Sequence, residues 1–193
     1  MKIAIDVDEI IVGFVEKYMN FAADRGFKRV GYKDVYSYEL EDVLETTREE
    51  TIGLLKIFNL EGHHENLDFI EGAVEGVKLL IKKHDVYFIT AQPKAISKFT
   101  RDFIFNNFRV LGDRVLFSGD TLREGEMKEE ICGRLGIGLI IEDSEKDTLR
   151  YARGGMKVLL LDKPWNRSVE HKNVYRCRDW GEILERLEEV ADV

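Results

Sequence analysis

The 193-residue sequence contains only two cysteines and two prolines, and it has no apolar run that approaches the length of a transmembrane helix. Cys132 and Cys177 lie far apart and form no CxxC motif, which favours free thiols in a reducing compartment over a disulfide. The first ten residues read as a strand that runs into two aspartates, which is unlike a secretory signal peptide. We therefore expect a cytoplasmic protein that does not bind membranes.

The sequence also lacks a basic segment. Its 29 Lys and Arg residues stand against 37 Asp and Glu residues, which gives a formal net charge of −8. This charge makes polymeric nucleic acid a poor partner, whereas a bound cation can reverse the sign locally and admit a small anionic substrate. The oligomeric state is not fixed by the sequence, and a homodimer is the assembly that we consider.

Short apolar runs alternate with amphipathic helical segments over most of the chain. The predicted strands cover residues 3–5, 85–90, 114–117, 138–141 and 157–161. Strands that alternate with helices favour right-handed crossovers and a parallel sheet. The predicted fold class is therefore α/β, with a Rossmann-like parallel sheet flanked by helices.

Residues 12–68 interrupt this alternation because their patterns predict helices only. In this segment, Thr47 and Glu50 form the sequence pattern of a capping box that opens a helix. The adjacent His63 and His64 are interpreted as part of a solvated loop. We predict a small helical cap at residues 12–68, inserted into an α/β core domain of residues 1–11 and 69–193.

Two carboxylates, Asp6 and Asp8, come directly after the first strand. In extended backbone both side chains point to the same face, where like charges repel and are costly to bury. Magnesium is the natural counter-ion, because it needs only one or two carboxylates together with phosphate and water. An ordinary strand end with solvated aspartates has the same pattern, so this stretch alone leaves both interpretations open.

Further polar residues fall at the carboxyl ends of the predicted strands, where parallel sheets bind ligands. Thr90 ends the second strand, and Glu142 and Asp143 end the fourth. Asp147 follows one helical turn later, and Lys128 opens the preceding helix. Each residue alone has a structural explanation, but a cluster of carboxylates is tolerable only around a cation. Together they predict a binding site at this edge of the sheet.

The order of these residues resembles the haloacid dehalogenase-like (HAD) phosphohydrolase superfamily. Four stretches also resemble its branch of 5'(3')-deoxyribonucleotidase-like proteins: FIEGA at 69–73, ITAQP at 89–93, IEDS at 141–144 and KPWN at 163–166. The resemblance spans nearly the whole chain. Glu9 and Gln92 depart from it, because Gly is frequent at the first position in the superfamily and Arg at the second in the branch.

The resemblance implies a catalytic role for both leading aspartates. Asp6 would be the nucleophile that forms an aspartyl phosphate, and Asp8 would act first as general acid and then as general base. Mg²⁺ would be held by Asp6, by the main-chain carbonyl of Asp8 and by Asp143. Glu142 would support this site, either as a direct ligand or through water.

Two further residues are implied to bind phosphate. Thr90 would hold phosphate oxygens, and Lys128 would offset the charge of Asp6 and the phosphate together. Asp147 would orient Lys128 or a metal-bound water.

The implied function is that of a Mg²⁺-dependent phosphomonoesterase, a HAD-type phosphatase or 5'-nucleotidase. Its partner would be a small phosphorylated metabolite, with a (deoxy)nucleoside monophosphate as the first expectation. The alternatives are a sugar-phosphate phosphatase or phosphomutase and a phosphate- or metal-binding module without turnover, whereas in a dehalogenase Asp8 would have no evident task. The aromatic residues Phe14, Tyr18, Tyr36 and Tyr38 are candidates either to stack on a base or to form the core of the cap.

Overall fold

The computed structural model of the chain describes residues 1–118 and 125–191. The strands of this described part form one sheet: β1 (Lys2–Ile5), β2 (Asp85–Thr90), β3 (Val115–Phe117), β4 (Leu139–Glu142), β5 (Lys157–Leu161) and β6 (Val174–Cys177). The strand order is β3-β2-β1-β4-β5-β6, and every pair is parallel. The predicted α/β fold with a Rossmann-like parallel sheet is confirmed. The edge strand β6 was not predicted, because most of its residues are only half-buried and form no apolar run.

The helices of the described residues are α1 (Val15–Asp24), α2 (Leu40–Leu44), α3 (Arg48–Leu60), α4 (Ala73–Lys83), α5 (Ser97–Phe108), α6 (Lys128–Leu135), α7 (Glu145–Arg153) and α8 (Trp180–Ala191). Short 3-10 turns cover Tyr32–Asp34, His63–Asn66, Lys94–Ile96 and Gly112–Arg114. The predicted capping box is present, because Thr47 Oγ1 accepts the Glu50 N–H and the Glu50 carboxylate accepts the Thr47 N–H. Among these described helices, none has both the length and the apolar character needed to cross a bilayer.

The sheet is buried on both faces, which explains its nearly continuous apolar strands. Ile3 and Ile5 of β1 belong to a hydrophobic cluster with side chains of α4, α5 and α8. Between them, Ala4 belongs to a second cluster with side chains of α6 and α7. Successive residues of β1 thus pack against helices on opposite faces, as side-chain alternation along a strand requires.

A third hydrophobic cluster lies mainly within residues 15–58. Its largest members from this segment include Tyr18, Phe21 and Phe58, and Trp165 joins it from the loop after β5. These residues form a group of their own, separate from the two clusters at the sheet. The division into a cap of residues 12–68 and a core of residues 1–11 and 69–193 stays a prediction, and we keep the name predicted cap for the first.

Helices α4 and α8 meet where Gly76 faces the buried indole of Trp180. The ring is 1% exposed, and its Nε1 donates to the Ile10 carbonyl at 2.9 Å. A Cβ atom at residue 76 would overlap the Trp180 ring. We expect Gly76→Ala to lower the free energy of unfolding by about 1–3 kcal/mol in urea titrations, because the helix or the ring must shift.

Gly53 in α3 is the matched control for this substitution. A Cβ atom there meets no atom within 4 Å. Gly53→Ala should raise the free energy of unfolding by about 0.5–1 kcal/mol, because alanine loses less backbone entropy than glycine in a helix. Equal effects of the two substitutions would contradict the packing role of Gly76.

Candidate active site

The site lies where the strand order reverses, between β1 and β4, which is the usual ligand position in such sheets. Ile5 pairs with Ile141, and the Asp6 N–H donates to the Ile141 carbonyl at 3.1 Å. The register therefore sets Asp6 beside Glu142. Both carboxylates are buried, with 3% and 0% of their residue surface exposed.

Lys128, the first residue of α6, lies between these two carboxylates. Its Nζ donates to Asp6 Oδ2 at 2.8 Å and to Glu142 Oε2 at 3.2 Å, and its side chain is 1% exposed. Burial acts to lower the pKa of Lys128, but the charges of Asp6 and Glu142 outweigh it and hold the pKa well above its usual value. The ammonium group thus stays charged inside the protein.

Three carboxylates at this point have the spacing of a metal site. Ligand oxygens of Asp6, Glu142 and Asp143 all lie within 4.8 Å of one another, and all three residues are buried. Burial raises the pKa of both Glu142 and Asp143 well above the usual value, and the charge of Asp6 raises both further. A cation beside these groups would oppose both effects and favour their ionised forms. A hard cation that prefers oxygen ligands, as Mg²⁺ does, therefore fits these residues.

Both carboxylate oxygens of Glu142 accept hydrogen bonds. Its Oε1 accepts the N–H groups of Asp143 at 3.1 Å and Ser144 at 3.2 Å, while Lys128 occupies Oε2. Asp6 is engaged in the same way, because its Oδ1 accepts the Val7 N–H at 2.8 Å and its Oδ2 accepts Lys128 Nζ, so these hydrogen bonds do not separate a direct ligand from a supporting residue. Whether Glu142 binds metal directly or through water stays a prediction.

Asp143 is oriented by the loop that follows β5. Trp165 Nε1 donates to Asp143 Oδ2 at 3.0 Å, and Asn166 Nδ2 donates to the main-chain carbonyl of Asp143 at 2.8 Å. The sequence analysis noted these residues only within the KPWN stretch and assigned them no role. Partners of this kind fix a metal-binding carboxylate in one direction, which sharpens the geometry it offers.

Asp8 faces the same side of the sheet edge, in contact with an amide. Gln92 Nε2 donates to Asp8 Oδ1 at 2.8 Å. Burial raises the pKa of Asp8 to about 7, the charge of Asp6 adds to the shift, and the Gln92 hydrogen bond opposes it. A carboxyl group with a pKa in this range can hold or release a proton near neutral pH, which suits general acid–base chemistry.

The structure brings Thr90 to this edge, and it brings Asp147 into contact with Arg150. Thr90 is fully buried at the end of β2, and its Oγ1 accepts the Gln92 N–H at 3.1 Å. Asp147 Oδ1 accepts a hydrogen bond from Arg150 at 2.8 Å, and its charge helps to raise the pKa of Lys128. The predicted roles of both residues stay predictions.

A cavity of about 370 Å³ opens between the sheet edge and the predicted cap. Asp8, Asp143 and Asp147 line it, whereas Asp6 and the two predicted phosphate ligands are buried outside the lining. The apolar side chains that the predicted cap contributes include Phe14, Tyr18, Tyr38, Leu40, Ile52 and Leu55. The cavity is thus acidic at the sheet edge and largely apolar on the opposite wall.

The four aromatic candidates of the predicted cap differ in position. Phe14 and Tyr38 line the cavity. Tyr18 also borders it, but its ring is buried among Phe14, Phe21 and Phe58 and its hydroxyl donates to the cap backbone. Tyr36 is 63% exposed and lies outside the cavity lining, so it is not placed to contact a ligand there.

The expected loop around His63 and His64 is only partly solvated, because the His63 side chain is 37% exposed and the His64 side chain is 10% exposed. The His63 ring packs against Phe21 and Phe58, with centroids 4.9 and 5.3 Å away, and His64 packs against Phe99 at 4.8 Å. The segment folds as a 3-10 turn, which directs the two rings to different aromatic neighbours. Neither histidine belongs to the metal-type cluster found among the described residues.

Glu9 is a residue that the sequence analysis treated only as a departure from the family pattern. Its backbone is left-handed, with φ of 60°, which explains why glycine suits this position. Its buried carboxylate accepts the Val15 N–H at 2.7 Å, the Tyr32 hydroxyl at 2.9 Å and Lys163 Nζ at 3.0 Å. The Glu9 side chain thus joins the loop after β1 to the start of α1, to the predicted cap and to the loop after β5.

The buried lysine generates a stability prediction. We expect Lys128→Met to lower the free energy of unfolding in EDTA-containing buffer by about 3–5 kcal/mol, because Asp6 and Glu142 then lose their shared cation. Lys146→Met is the control, since Lys146 pairs with Glu39 at 3.1 Å on the surface and should contribute less than about 1 kcal/mol. Similar losses in the two variants in urea titrations would contradict this reading of Lys128.

The comparisons with known proteins agree with this architecture, although no family model matches the chain. A nucleotidase of Clostridium acetobutylicum is 24% identical over 163 residues, which cover 83% of this chain and 81% of the relative. YqfW of Bacillus subtilis, named provisionally as a nucleotidase, is 25% identical over 190 residues, which cover 96% and 92%.

Solved structures share this fold. The crystal structure of a HAD family hydrolase from Deinococcus radiodurans, with bound phosphate and sodium, matches with a TM-score of 0.63 at 15% identity. The match covers 98% of this chain and 96% of that one. The resemblance that the sequence predicted is confirmed at the level of the fold.

Proposed function

We propose that this chain, which has the fold of the HAD-superfamily hydrolases, is a Mg²⁺-dependent phosphomonoesterase of the 5'-nucleotidase type. The observation that carries the proposal is the cluster of Asp6, Glu142 and Asp143 around Lys128, with Asp8 beside it on the cavity wall. The nucleotidase names of two relatives support a (deoxy)nucleoside monophosphate as the substrate. The metal, the substrate and the residue roles are all part of the proposal.

In this mechanism, Asp6 attacks the phosphorus atom and forms an aspartyl phosphate, while the bond to the leaving alkoxide breaks. Asp8 gives its proton to that oxygen, which leaves as an alcohol. Asp8 then takes a proton from the water that hydrolyses the aspartyl phosphate, so Asp6 and inorganic phosphate are released. The mechanism therefore needs two neighbouring carboxylates: Asp6 as the nucleophile and Asp8 as the group that transfers the proton.

The remaining site residues would offset negative charge or bind the phosphate. Asp6, Asp143 and the main-chain carbonyl of Asp8 would hold Mg²⁺, which when bound neutralises part of the negative charge on the phosphate. Lys128 is fixed between Asp6 and Glu142, and its ammonium offsets the charge that gathers as the phosphate approaches Asp6. Thr90 would hold a phosphate oxygen.

The cavity supports an organic phosphate with an apolar or aromatic group. Its volume of about 370 Å³ lies within the usual range of small-molecule pockets. With the phosphate at the acidic sheet edge, the rest of the substrate faces the apolar wall of the predicted cap, where Phe14 and Tyr38 are available to contact a base. Glu39, Glu41 and Arg48 also line this side of the cavity, and they are placed to contact the hydroxyl groups of the substrate's sugar.

The proposal is tested by phosphate release from deoxythymidine 5'-monophosphate. Release should require Mg²⁺ and fall to background in EDTA, and Asp6→Asn should abolish it because an amide does not replace the carboxylate nucleophile. Asp113→Asn, an exposed position in the turn before β3, should leave the rate unchanged. Full activity in metal-free buffer would contradict the metal, and turnover by Asp6→Asn would contradict the nucleophile.

The apolar wall can be tested by comparing two aromatic residues of the predicted cap. Phe14→Ala should lower kcat/KM for the nucleotide about tenfold or more, because base–aromatic stacking contributes roughly 1–3 kcal/mol. It should change kcat/KM for p-nitrophenyl phosphate much less, since this substrate has no base.

Tyr36→Ala is the control, because Tyr36 is exposed outside the cavity. We expect it to alter neither activity. Phe14 also packs against Tyr18 and Phe58, so thermal melts should accompany the kinetics. A folded Phe14→Ala variant that loses both activities equally would show that Phe14 does not contact a base.

A further inference from the structure

The loop after β2 carries an amide that is held at both ends. Gln92 Nε2 donates to Asp8 Oδ1 at 2.8 Å. At the other end, Gln92 Oε1 accepts a hydrogen bond from Thr100 Oγ1 at 2.7 Å. The sequence analysis noted Gln92 only because arginine is frequent at this position in similar proteins, and it assigned the residue no task.

The groups that hold this amide belong to well-packed elements. Thr100 is 2% exposed on α5, and its Oγ1 also lies 3.2 Å from the Ile96 carbonyl of the preceding turn. The Gln92 N–H donates to Thr90 Oγ1 at 3.1 Å, which ties its backbone to the end of β2. Contacts therefore run from the buried face of α5 and from the buried end of β2 to the Asp8 carboxyl.

A general acid must be correctly oriented towards the leaving group as well as present in the site. An aspartate side chain can rotate about two bonds, and a mismatch of about 1 Å can cost a reaction about 100-fold. The Gln92 hydrogen bond takes Oδ1 of Asp8, so Oδ2 is the oxygen left for other partners. Since Asp8 lines the cavity, this contact selects which carboxyl oxygen serves a substrate there.

We propose that Gln92 is a positioning residue, whose amide, anchored by Thr100, holds the Asp8 carboxyl in the orientation that protonates the leaving oxygen. The inference rests on the proposed function, in which Asp8 is the acid. Gln92 acts through Asp8 and is not itself required to touch the substrate.

Leaving groups of different basicity distinguish this role from a structural one. Gln92→Met keeps the length of the side chain and removes both hydrogen bonds. We expect kcat/KM for deoxythymidine 5'-monophosphate to fall about 10- to 100-fold, up to the loss that a misplacement of about 1 Å can cause. For p-nitrophenyl phosphate we expect a loss below about threefold, because p-nitrophenolate leaves with little need of a proton.

The ratio kcat/KM is the right quantity because it reports only the steps up to formation of the aspartyl phosphate. Slower hydrolysis of that intermediate, where Asp8 acts as base, would lower kcat for both substrates and leave this comparison intact. A high-resolution structure of Gln92→Met should show the Asp8 carboxyl turned away or in more than one orientation.

Variants of Thr100 test the anchor without touching Gln92. Thr100→Val removes the hydroxyl at nearly constant volume and should give the same selective loss to a smaller extent, whereas Thr100→Ser should retain near-wild-type selectivity. Asn107→Leu is the matched control, because Asn107 lies on the same helix and its amide donates to the Phe103 carbonyl. It should leave both substrates unchanged.

The outcomes separate this inference from the proposed function. A wild-type protein that hydrolyses neither substrate would refute the proposed function and this inference with it. If the wild type is active, an equal loss or no loss for both substrates in Gln92→Met, or an unmoved Asp8, refutes the role of Gln92 alone. Should Gln92→Met fail to fold, the comparison of Thr100→Val with Thr100→Ser decides in the same way.

Discussion

A buried ammonium group between two buried carboxylates is the interaction on which the candidate site depends. Lys128 reaches Asp6 after β1 and Glu142 at the end of β4, so one side chain of α6 connects the two strands at the switch point. Charges are expensive to bury and become tolerable only when each is paired and hydrogen-bonded. Lys128 pairs with two of the acids, while Asp143 adds a further negative charge. The proposed Mg²⁺ would lie among these three carboxyl groups and offset their charge.

The loops after β1 and β5 link this charged cluster to the predicted cap. Trp165 packs in the hydrophobic cluster of the cap segment while its Nε1 holds Asp143. Glu9 accepts hydrogen bonds from Tyr32 on the cap side and from Lys163 after β5. A displacement of the cap segment would therefore disturb contacts that orient a proposed metal ligand. The proposed substrate selection at the apolar wall and the proposed chemistry at the sheet edge would therefore share these buried contacts.

Local sequence patterns were sufficient for the central part of the fold. The apolar runs ending in Asp6, Thr90 and Glu142 predicted strands because fully buried parallel strands need side chains that are apolar on both faces. Their polar ends then met at one edge because parallel strands share a direction. The edge strand β6 escaped prediction since its half-exposed residues need no apolar run. The packing of the His63 and His64 rings was not predicted because their aromatic partners lie elsewhere in the chain.

The sequence by itself determined the α/β class, the strands that carry Asp6 and Glu142, and the gathering of carboxylates at one edge. Periodicity and residue type are local properties, and they suffice where burial or chain direction leaves few alternatives. Only the tertiary structure decided that Trp165 holds Asp143, that Gln92 connects Thr100 to Asp8, and that Glu9 meets Lys163. The two residues of each of these contacts lie in different elements of the fold. Contacts between residues that are far apart in the sequence depend on how the helices and loops pack, which no local sequence pattern encodes.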